Sequence, residues 1–201
     1  MNRFDQAAKD WDAKPTSILI AKETSTKITQ HIDLTNKDIL DYGCGTGLLA
    51  FSLSDDVKSM TGMDNSQGMV AVFNEKAQKF GFSNTKAVKH NVDIEDLPQK
   101  RYDVIVTSMA LHHIKHPHTF FQKCKEALKP NGYLCISDLD EEDGTFHAKH
   151  NNDGVHHFGF SHQQIKTFYE ESGYTLQFLD NICELERENG TFPIFLSIGQ
   201  I

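Results

Sequence analysis

Apolar residues recur along this chain with two periods, and segments of the two kinds alternate. Within residues 17–33, apolar positions such as Ile28 and Ile32 lie one helical turn apart, which predicts a helix. Short apolar runs bounded by turn residues predict strands, and the run YDVIVTSMA is apolar almost throughout. A continuous run of this kind is typical of a strand buried on both faces. Strands are predicted at 37–42, 57–64, 85–90, 102–110 and 133–139.

Polar residues and glycines mark where the helices between these strands begin and end. Ser66 is predicted to cap a helix that ends at Gly81. Ser161 and Gln164 form an S-x-x-Q capping box for a helix that ends at Gly173. A short helix is predicted at 48–53, and another carries Phe120 to Leu128 and is stopped by KPNG at 129–132.

The C-terminal tail predicts two strands joined at Asn189-Gly190, which is a strong hairpin signal. Pro193 cannot donate to a ladder, so we expect it at the start of its strand or at a bulge. Strand and helix alternate up to this hairpin, which predicts an α/β protein with a mainly parallel sheet. The segment 138–160 fits neither period, and an irregular stretch of that length is usually functional or disordered. Its Phe and His content argues against simple disorder.

Length, composition and charge narrow the class of protein. The chain has 201 residues, of which 38% are hydrophobic and 24% charged, which suits a single soluble domain over 1–201. A net charge of −8 argues against nucleic-acid partners. Without an 18-residue apolar window or a signal peptide, we expect a cytoplasmic monomer or homodimer that does not engage membranes. The four cysteines lack C-x-x-C spacing and are expected to be buried free thiols.

The stretch ILDYGCGTGLLAF, residues 39–51, predicts a strand, a tight glycine loop and a helix. Such loops bring backbone N–H groups against a ligand. A phosphate-binding P-loop requires a lysine, and no Lys or Arg occurs between Asp41 and Val57. The dinucleotide fingerprint G-x-G-x-x-G fails as well, because here the third glycine follows after one residue instead of two.

Two acids flank this loop and point to a different ligand. Asp64 ends the second strand, 21 residues after Gly43, where a carboxylate binds ribose hydroxyls. Asp41 precedes the loop, where it repels pyrophosphate and attracts a cationic amino group. S-adenosylmethionine combines a ribose and an ammonium group without phosphate.

At these residues the chain resembles the class I S-adenosylmethionine-dependent methyltransferases, in particular the small-molecule, quinone-biosynthesis-like branch. The matching motifs lie between residues 35 and 140 and are ILDYGCGTG, MTGMDNS, VDIEDLP, YDVIVTSMALHHI and LKPNGYLCISDLD. The resemblance implies a Rossmann-like three-layer sandwich whose seven-stranded, mainly parallel sheet ends in an antiparallel C-terminal hairpin strand. It further implies an N-terminal helical cap at 1–34 and a substrate-side insert at 140–160.

The resemblance also implies a role for each matching residue in binding S-adenosylmethionine, whose product is S-adenosylhomocysteine. Gly43, Cys44, Gly45 and Gly47 shape the loop against the methionine portion, with Asp41 near the ammonium. Asp64 accepts from the ribose hydroxyls, Asn65 and Met69 flank the adenosine, and Asp93 and the Ile94 N–H contact the adenine. Thr107 and Ser108 lie beside the cofactor, and Trp11 covers it.

Methyl transfer is an in-line displacement that needs a base only when the acceptor must lose a proton. No catalytic residue is identified, and His112 and His113, after the fourth strand, are the candidates. Substrate contacts are expected from His112, Glu142, His147, His156 and His157. The His and acid content of 140–160, His150 included, suggests a metal, but the spacing matches no zinc pattern and a sulfonium needs none, so we predict no metal site.

The sequence therefore predicts a methyltransferase that acts on a small-molecule acceptor. A protein methyltransferase and a non-catalytic S-adenosylmethionine-binding sensor remain alternatives, and a nicotinamide-dependent oxidoreductase is the remaining competitor.

Overall fold

The central feature of the computed structural model, which describes residues 3–147 and 152–201, is one mixed sheet. Seven strands form it within the described residues, in the order β3-β2-β1-β4-β5-β7-β6. Strands β1 to β5 pair in parallel, whereas β7 is antiparallel to both β5 and β6. The strands are β1 Asp38–Tyr42, β2 Ser59–Asp64, β3 Thr85–Lys89, β4 Tyr102–Ser108, β5 Leu128–Leu139, β6 Thr175–Arg187 and β7 Gly190–Gln200.

Helices cover both faces of this sheet. They are α1 Arg3–Ala7, α2 Pro15–His31, α3 Leu48–Ser52, α4 Gln67–Lys79, α5 Pro117–Ala127 and α6 His162–Glu171, with 3₁₀ turns at Ala8–Ala13 and Leu111–His113. Successive strand residues point to opposite faces, so Ile39 and Val104 pack with α2, α3 and α4, while Leu40 and Ile105 pack with α5 and α6. This arrangement confirms the predicted three-layer α/β sandwich with a C-terminal hairpin.

The predicted helix caps are confirmed. The Ser66 hydroxyl accepts from the Met69 N–H at 3.2 Å, and Ser161 and Gln164 form a reciprocal capping box. Gly81 and Gly173 both have left-handed backbones, with φ of +76° and +72°. No helix among the described residues is long and apolar enough to cross a membrane.

The prediction that KPNG separates helix from strand was wrong. Strand β5 already begins at Leu128, which pairs with Tyr102, and the next pair joins Val104 to Tyr133. The residues between form an irregularity in which Asn131 has a φ of +62°. A bulge of this kind accommodates turn-forming residues without ending the strand.

The C-terminal hairpin turns one residue earlier than predicted, because Arg187 pairs with Gly190 and leaves Glu188 and Asn189 as the turn. Pro193 lies inside β7, three residues after the strand begins. The Pro193 carbonyl accepts from the Asp140 N–H at 3.0 Å, so the backbone polar groups of this residue are directed toward β5. An N–H group, which proline lacks, would point the same way. The ladder with β5 starts only at Ile194, and the sheet therefore loses no hydrogen bond there.

Candidate active site

A cavity of about 460 Å³ opens where the carboxyl ends of β1, β2 and β4 meet. The strand order reverses between β1 and β4, and ligands bind at such a switch point in open α/β sheets. The predicted site residues on its wall are Trp11, Asp41, Gly43, Cys44, Gly45, Asp64, Asn65, Met69, Asp93, Ser108, His112, His113 and His147. Residues far apart in the chain thus share one wall.

Three predicted cofactor residues do not line this cavity. A Cβ on Gly47 would lie 2.5 Å from Cε2 of Phe51, so this glycine allows close packing beneath the loop. Ile94 is 79% exposed, and its N–H donates to the Asn91 carbonyl instead of facing the cavity. Thr107 is buried behind the wall, where its hydroxyl has no partner among the described residues.

Three predicted substrate residues are also outside the cavity. The Glu142 carboxylate closes its own loop by accepting from the N–H groups of Gly144 and Phe146. His156 is exposed, and Nε2 of His157 lies 3.0 Å from the carbonyl of Ile114. His150 falls outside the described residues.

The glycine loop is held close to β2 and β4 by its backbone. The N–H groups of Gly43 and Cys44 donate to the Met63 carbonyl at 2.7 and 3.1 Å. Gly43 has a φ of +70°, and a Cβ there would lie 2.3 Å from Cβ of Ala110. Only glycine satisfies both conditions, because a side chain would disfavour the backbone conformation and collide with the neighbouring loop.

The Asp64 carboxylate is fixed by two backbone donors. Its Oδ2 accepts from the Gly45 N–H at 2.9 Å, and its Oδ1 accepts from the Ser66 N–H at 2.8 Å. Burial raises the pKa of Asp64, and the two N–H groups oppose that rise. Each carboxylate oxygen has a second lone pair, so the group keeps the capacity to accept from a vicinal diol in the cavity.

The Asp41 carboxyl group is buried and is only partly compensated, by a backbone hydrogen bond from Ala50. Its Oδ2 has no hydrogen-bond partner among the described residues. Burial, and then the charge of Asp64, raise the pKa of Asp41 to about 8. An acid in this condition at a cavity wall favours a cationic ligand, which would both pair with the carboxylate and lower its pKa.

The N-terminal helical segment, residues 3–31, lines the cavity, and hydrogen bonds and an ion pair from two of its acids hold it in place. Oδ1 of Asp5 accepts from the Ser66 hydroxyl at 2.6 Å and from the Gly68 N–H at 2.9 Å. Asp12 pairs with Lys76 at 2.6 Å and accepts from the hydroxyl of Thr46, which belongs to the glycine loop. The segment that carries Trp11 is therefore coupled to the loop that it covers.

Three imidazoles meet on the cavity wall close to the N-terminal segment, where the Phe4 ring centroid lies 5.3 Å from that of His113. Ring centroids are 4.0 Å apart for His112 and His113, 5.4 Å for His112 and His147, and 5.9 Å for His113 and His147. Nδ1 of His112 lies 2.6 Å from Oδ1 of Asp138, and Nδ1 of His113 lies 2.6 Å from the Gly154 carbonyl. Burial and the neighbouring His112 lower the pKa of His113 to about 3 and that of His147 to about 4.

A group of basic side chains at this cavity was missed by the sequence analysis. Arg3, Lys14 and Arg187 all line it. Burial lowers the pKa of Lys14, and so do the charges of the two arginines, which places the three cations near one another. The Arg187 guanidinium lies 3.9 Å from the Phe146 ring centroid and donates to the Phe146 carbonyl at 2.9 Å. No local pattern predicts this group, since its members come from both ends of the chain.

Comparison with known proteins identifies the class of domain. A family model described as a methyltransferase domain matches residues 33–173. An uncharacterised methyltransferase of Schizosaccharomyces pombe is 32% identical over 168 residues, which are 77% of this chain and 59% of that protein. A ubiquinone biosynthesis O-methyltransferase of Pasteurella multocida is 29% identical over 157 residues, which are 70% of this chain and 64% of that protein. The chain thus spans about three fifths of the length of these relatives.

A solved structure shows the same fold. The crystal structure of a SAM dependent methyltransferase from Aquifex aeolicus matches with a TM-score of 0.74 and 21% sequence identity. The match covers 98% of both chains, so the likeness includes the N-terminal helices and the C-terminal hairpin as well as the central sheet.

Proposed function

Because this chain belongs to the S-adenosylmethionine-dependent methyltransferase family, we propose that it transfers the methyl group of S-adenosylmethionine to a small molecule that carries an acidic group. The reaction breaks the bond between the methyl carbon and the sulfonium sulfur and forms a bond from that carbon to the acceptor. The electron pair of the broken bond stays on sulfur, and S-adenosylhomocysteine leaves as a neutral thioether. The sulfonium supplies the electrophile, so the protein must align the reactants and exclude water.

The observation that carries this proposal is the division of charge in the cavity. Its cofactor end has the acids Asp41, Asp64 and Asp93. The bases Arg3, Lys14 and Arg187 lie near one another on the cavity wall, and the two arginines also act on His147. A ligand with an ammonium and a ribose suits the acids, whereas an anionic acceptor suits the bases, because each ligand meets charge of opposite sign.

At the cofactor end, we assign Asp64 to the ribose hydroxyls, Asp41 to the ammonium and the backbone of Gly43 and Gly45 to the methionine portion. Asp93 is a half-buried acid on the same wall and is assigned to the adenine amino group. Gly47 and Thr107 support the loop from behind and have no direct contact in this assignment.

A small-molecule acceptor is supported by the closure of the cavity. Helical residues 3–31 cover one side, and the insert 140–160 contributes Phe146 and His147 to the other. We therefore propose a single domain over 1–201, with 1–34 as a cap and 140–160 as an acceptor-side wall. Relatives named ubiquinone biosynthesis O-methyltransferases support a hydroxyl as the methylated group. A hydroxyl must lose its proton, which requires a base or a Lewis acid close to the acceptor.

The experiment supplies the purified protein with methyl-labelled S-adenosylmethionine and fractionated cell extract. We expect label in a small molecule that an anion exchanger retains at neutral pH. Arg187→Gln should raise the KM for that acceptor about two- to fivefold without changing affinity for S-adenosylhomocysteine, because Arg187 is exposed and an exposed ion pair is worth about 0.2–1 kcal/mol. Arg101→Gln is the matched control, since Arg101 is exposed and outside the cavity.

Other results would replace this proposal. Label in the protein fraction alone would indicate a protein methyltransferase. Tight binding of S-adenosylhomocysteine without any transfer would indicate a sensor. Thermal stabilisation by NADH, and not by S-adenosylhomocysteine, would indicate a nicotinamide-dependent enzyme.

A further inference from the structure

His112, His113 and His147 come from two different loops and converge on one point of the cavity wall. Each offers one nitrogen, and the three nitrogens lie within 4.8 Å of one another. His112 is buried, and the other two rings are half-buried. Of the three, His147 has a buried ring nitrogen without a hydrogen-bond partner among the described residues.

We propose that His112, His113 and His147 bind a divalent transition metal ion, with Zn²⁺ preferred over Mg²⁺. Imidazole suits zinc and its neighbours in the first transition series, whereas magnesium requires oxygen ligands. The proposal concerns binding alone, so it does not depend on which acceptor is methylated.

The hydrogen bonds made by Nδ1 of His112 and of His113 leave Nε2 of each ring available to an ion. Nδ1 of His112 is engaged by Asp138 and Nδ1 of His113 by the Gly154 carbonyl, both at 2.6 Å. These are the two kinds of partner that orient metal-bound histidines in proteins, a carboxylate and a backbone carbonyl. Nε2 of both rings remains for the ion. Nε2 of His147 is buried and has no hydrogen-bond partner among the described residues.

The distances also suit a zinc ion after a small adjustment. Tetrahedral zinc with Zn–N bonds of about 2.0–2.1 Å places its ligand nitrogens about 3.3 Å apart. Nitrogens within 4.8 Å of one another reach that spacing if each moves by about 1 Å or less. Side-chain rotation alone supplies shifts of this size.

The charges around the rings predict an exchangeable ion. Arg3 and Arg187 act on His147, and their positive charges oppose a dication. The Asp138 carboxylate, whose Oδ1 lies 2.6 Å from Nδ1 of His112, offsets part of this repulsion. Three protein ligands leave a coordination position open, as in catalytic zinc sites.

The test uses the full-length, tag-free protein after treatment with a chelator. Titration with Co²⁺, followed by its visible absorption, and with Zn²⁺, followed by calorimetry, should give one bound ion per chain. His147→Ala and His113→Ala should each weaken binding of both ions about tenfold or more, because each removes one ligand. His118→Ala is the control, since His118 is a partly exposed histidine near Glu171.

Folding of each variant is checked separately by its thermal transition and by its affinity for S-adenosylhomocysteine. Unchanged cobalt affinity in both His147→Ala and His113→Ala would overturn the proposal. Failure of the parent protein to bind either ion below millimolar concentration would do so as well. Neither result would bear on methyl transfer, which is measured with labelled cofactor.

Discussion

Nδ1 of His112 and Oδ1 of Asp138 are 2.6 Å apart, and both side chains are buried. Asp138 lies at the end of β5 and also accepts from the N–H groups of Leu139 and His112 at 2.7 and 3.3 Å. One carboxylate therefore fixes both the ring and the backbone of His112. Through that ring it also sets the geometry of the histidine cluster on the cavity wall.

Asp138→Asn should lower the free energy of unfolding by about 3–5 kcal/mol, because it breaks a buried, multiply hydrogen-bonded pair. Urea unfolding measures the change. Asp140→Asn is the matched control two residues away, where the side chain accepts only peripheral hydrogen bonds. A loss of less than about 1 kcal/mol in Asp138→Asn would mean that the pair is not a structural anchor.

Asp64→Ala should weaken binding of S-adenosylhomocysteine by about 2–4 kcal/mol, because it removes charge-assisted hydrogen bonds to the ribose. Calorimetric titration measures the affinity. Asp64→Asn should have a smaller effect, since its amide oxygen still accepts one of the loop N–H groups. Asp96→Ala serves as control, because Asp96 is an exposed acid paired with Lys123. Near-normal affinity in Asp64→Ala would contradict the ribose assignment.

Asp41→Asn should stabilise the cofactor-free protein above pH 8 and weaken cofactor binding. The pKa of Asp41 is raised to about 8 by burial and by Asp64, so the folded protein holds a proton that the unfolded chain has released. The contribution of this group to stability is complete below its ordinary pKa near 3.8 and is lost as pH rises through 8. Melting temperatures measured between pH 4 and pH 8 should show a shallower pH dependence in the variant.

Asp38 lies on the same strand as Asp41 but has a lowered pKa. Its effect on the pH dependence of stability therefore has the opposite sign, and it serves as the control. Burial raises the pKa of Asp38, but hydrogen bonds from Lys129, Ser59 and Lys58 outweigh it, and the pKa lies below the ordinary value. Its stabilising contribution is present above pH 3.8 and is lost as pH falls. Asp38→Asn should therefore lower the melting temperature at neutral pH. Equal shifts in the two variants would show that Asp41 is not a destabilising charge.

Gly43→Ala should abolish cofactor binding and destabilise the fold more than Gly81→Ala does. Both glycines have left-handed backbones, for which an alanine costs about 1–2 kcal/mol. Only at Gly43 would the new Cβ collide with a neighbour, at 2.3 Å from Cβ of Ala110, which adds about 1–3 kcal/mol of overpacking. Chemical denaturation of both variants measures the difference. Equal losses would mean that the loop yields to the collision.

The sequence alone predicted the three layers of this protein and the central residues of its proposed cofactor site. Continuous apolar runs predicted strands buried on both faces, and the caps at Ser66 and Ser161 gave two helix starts correctly. Asp41, Gly43 and Asp64 were found because strand ends in a parallel sheet meet at one edge, so that order along the chain predicts proximity. The role of Gly47 stays a prediction, since this glycine lies outside the cavity wall and its missing Cβ allows close packing against Phe51.

Only the tertiary structure brought together the histidines and the bases on the cavity wall. His147 meets His112 and His113 across an irregular segment, and Arg3, Lys14 and Arg187 meet from both termini. Hydrophobic periodicity indicates on which face of its own helix or strand a side chain lies. It carries no information about which distant loop lies opposite, because that depends on chain connections and on the packing of the N-terminal helices over the sheet. The proposal of an acidic acceptor therefore rests on the tertiary structure, which alone places these segments beside one another.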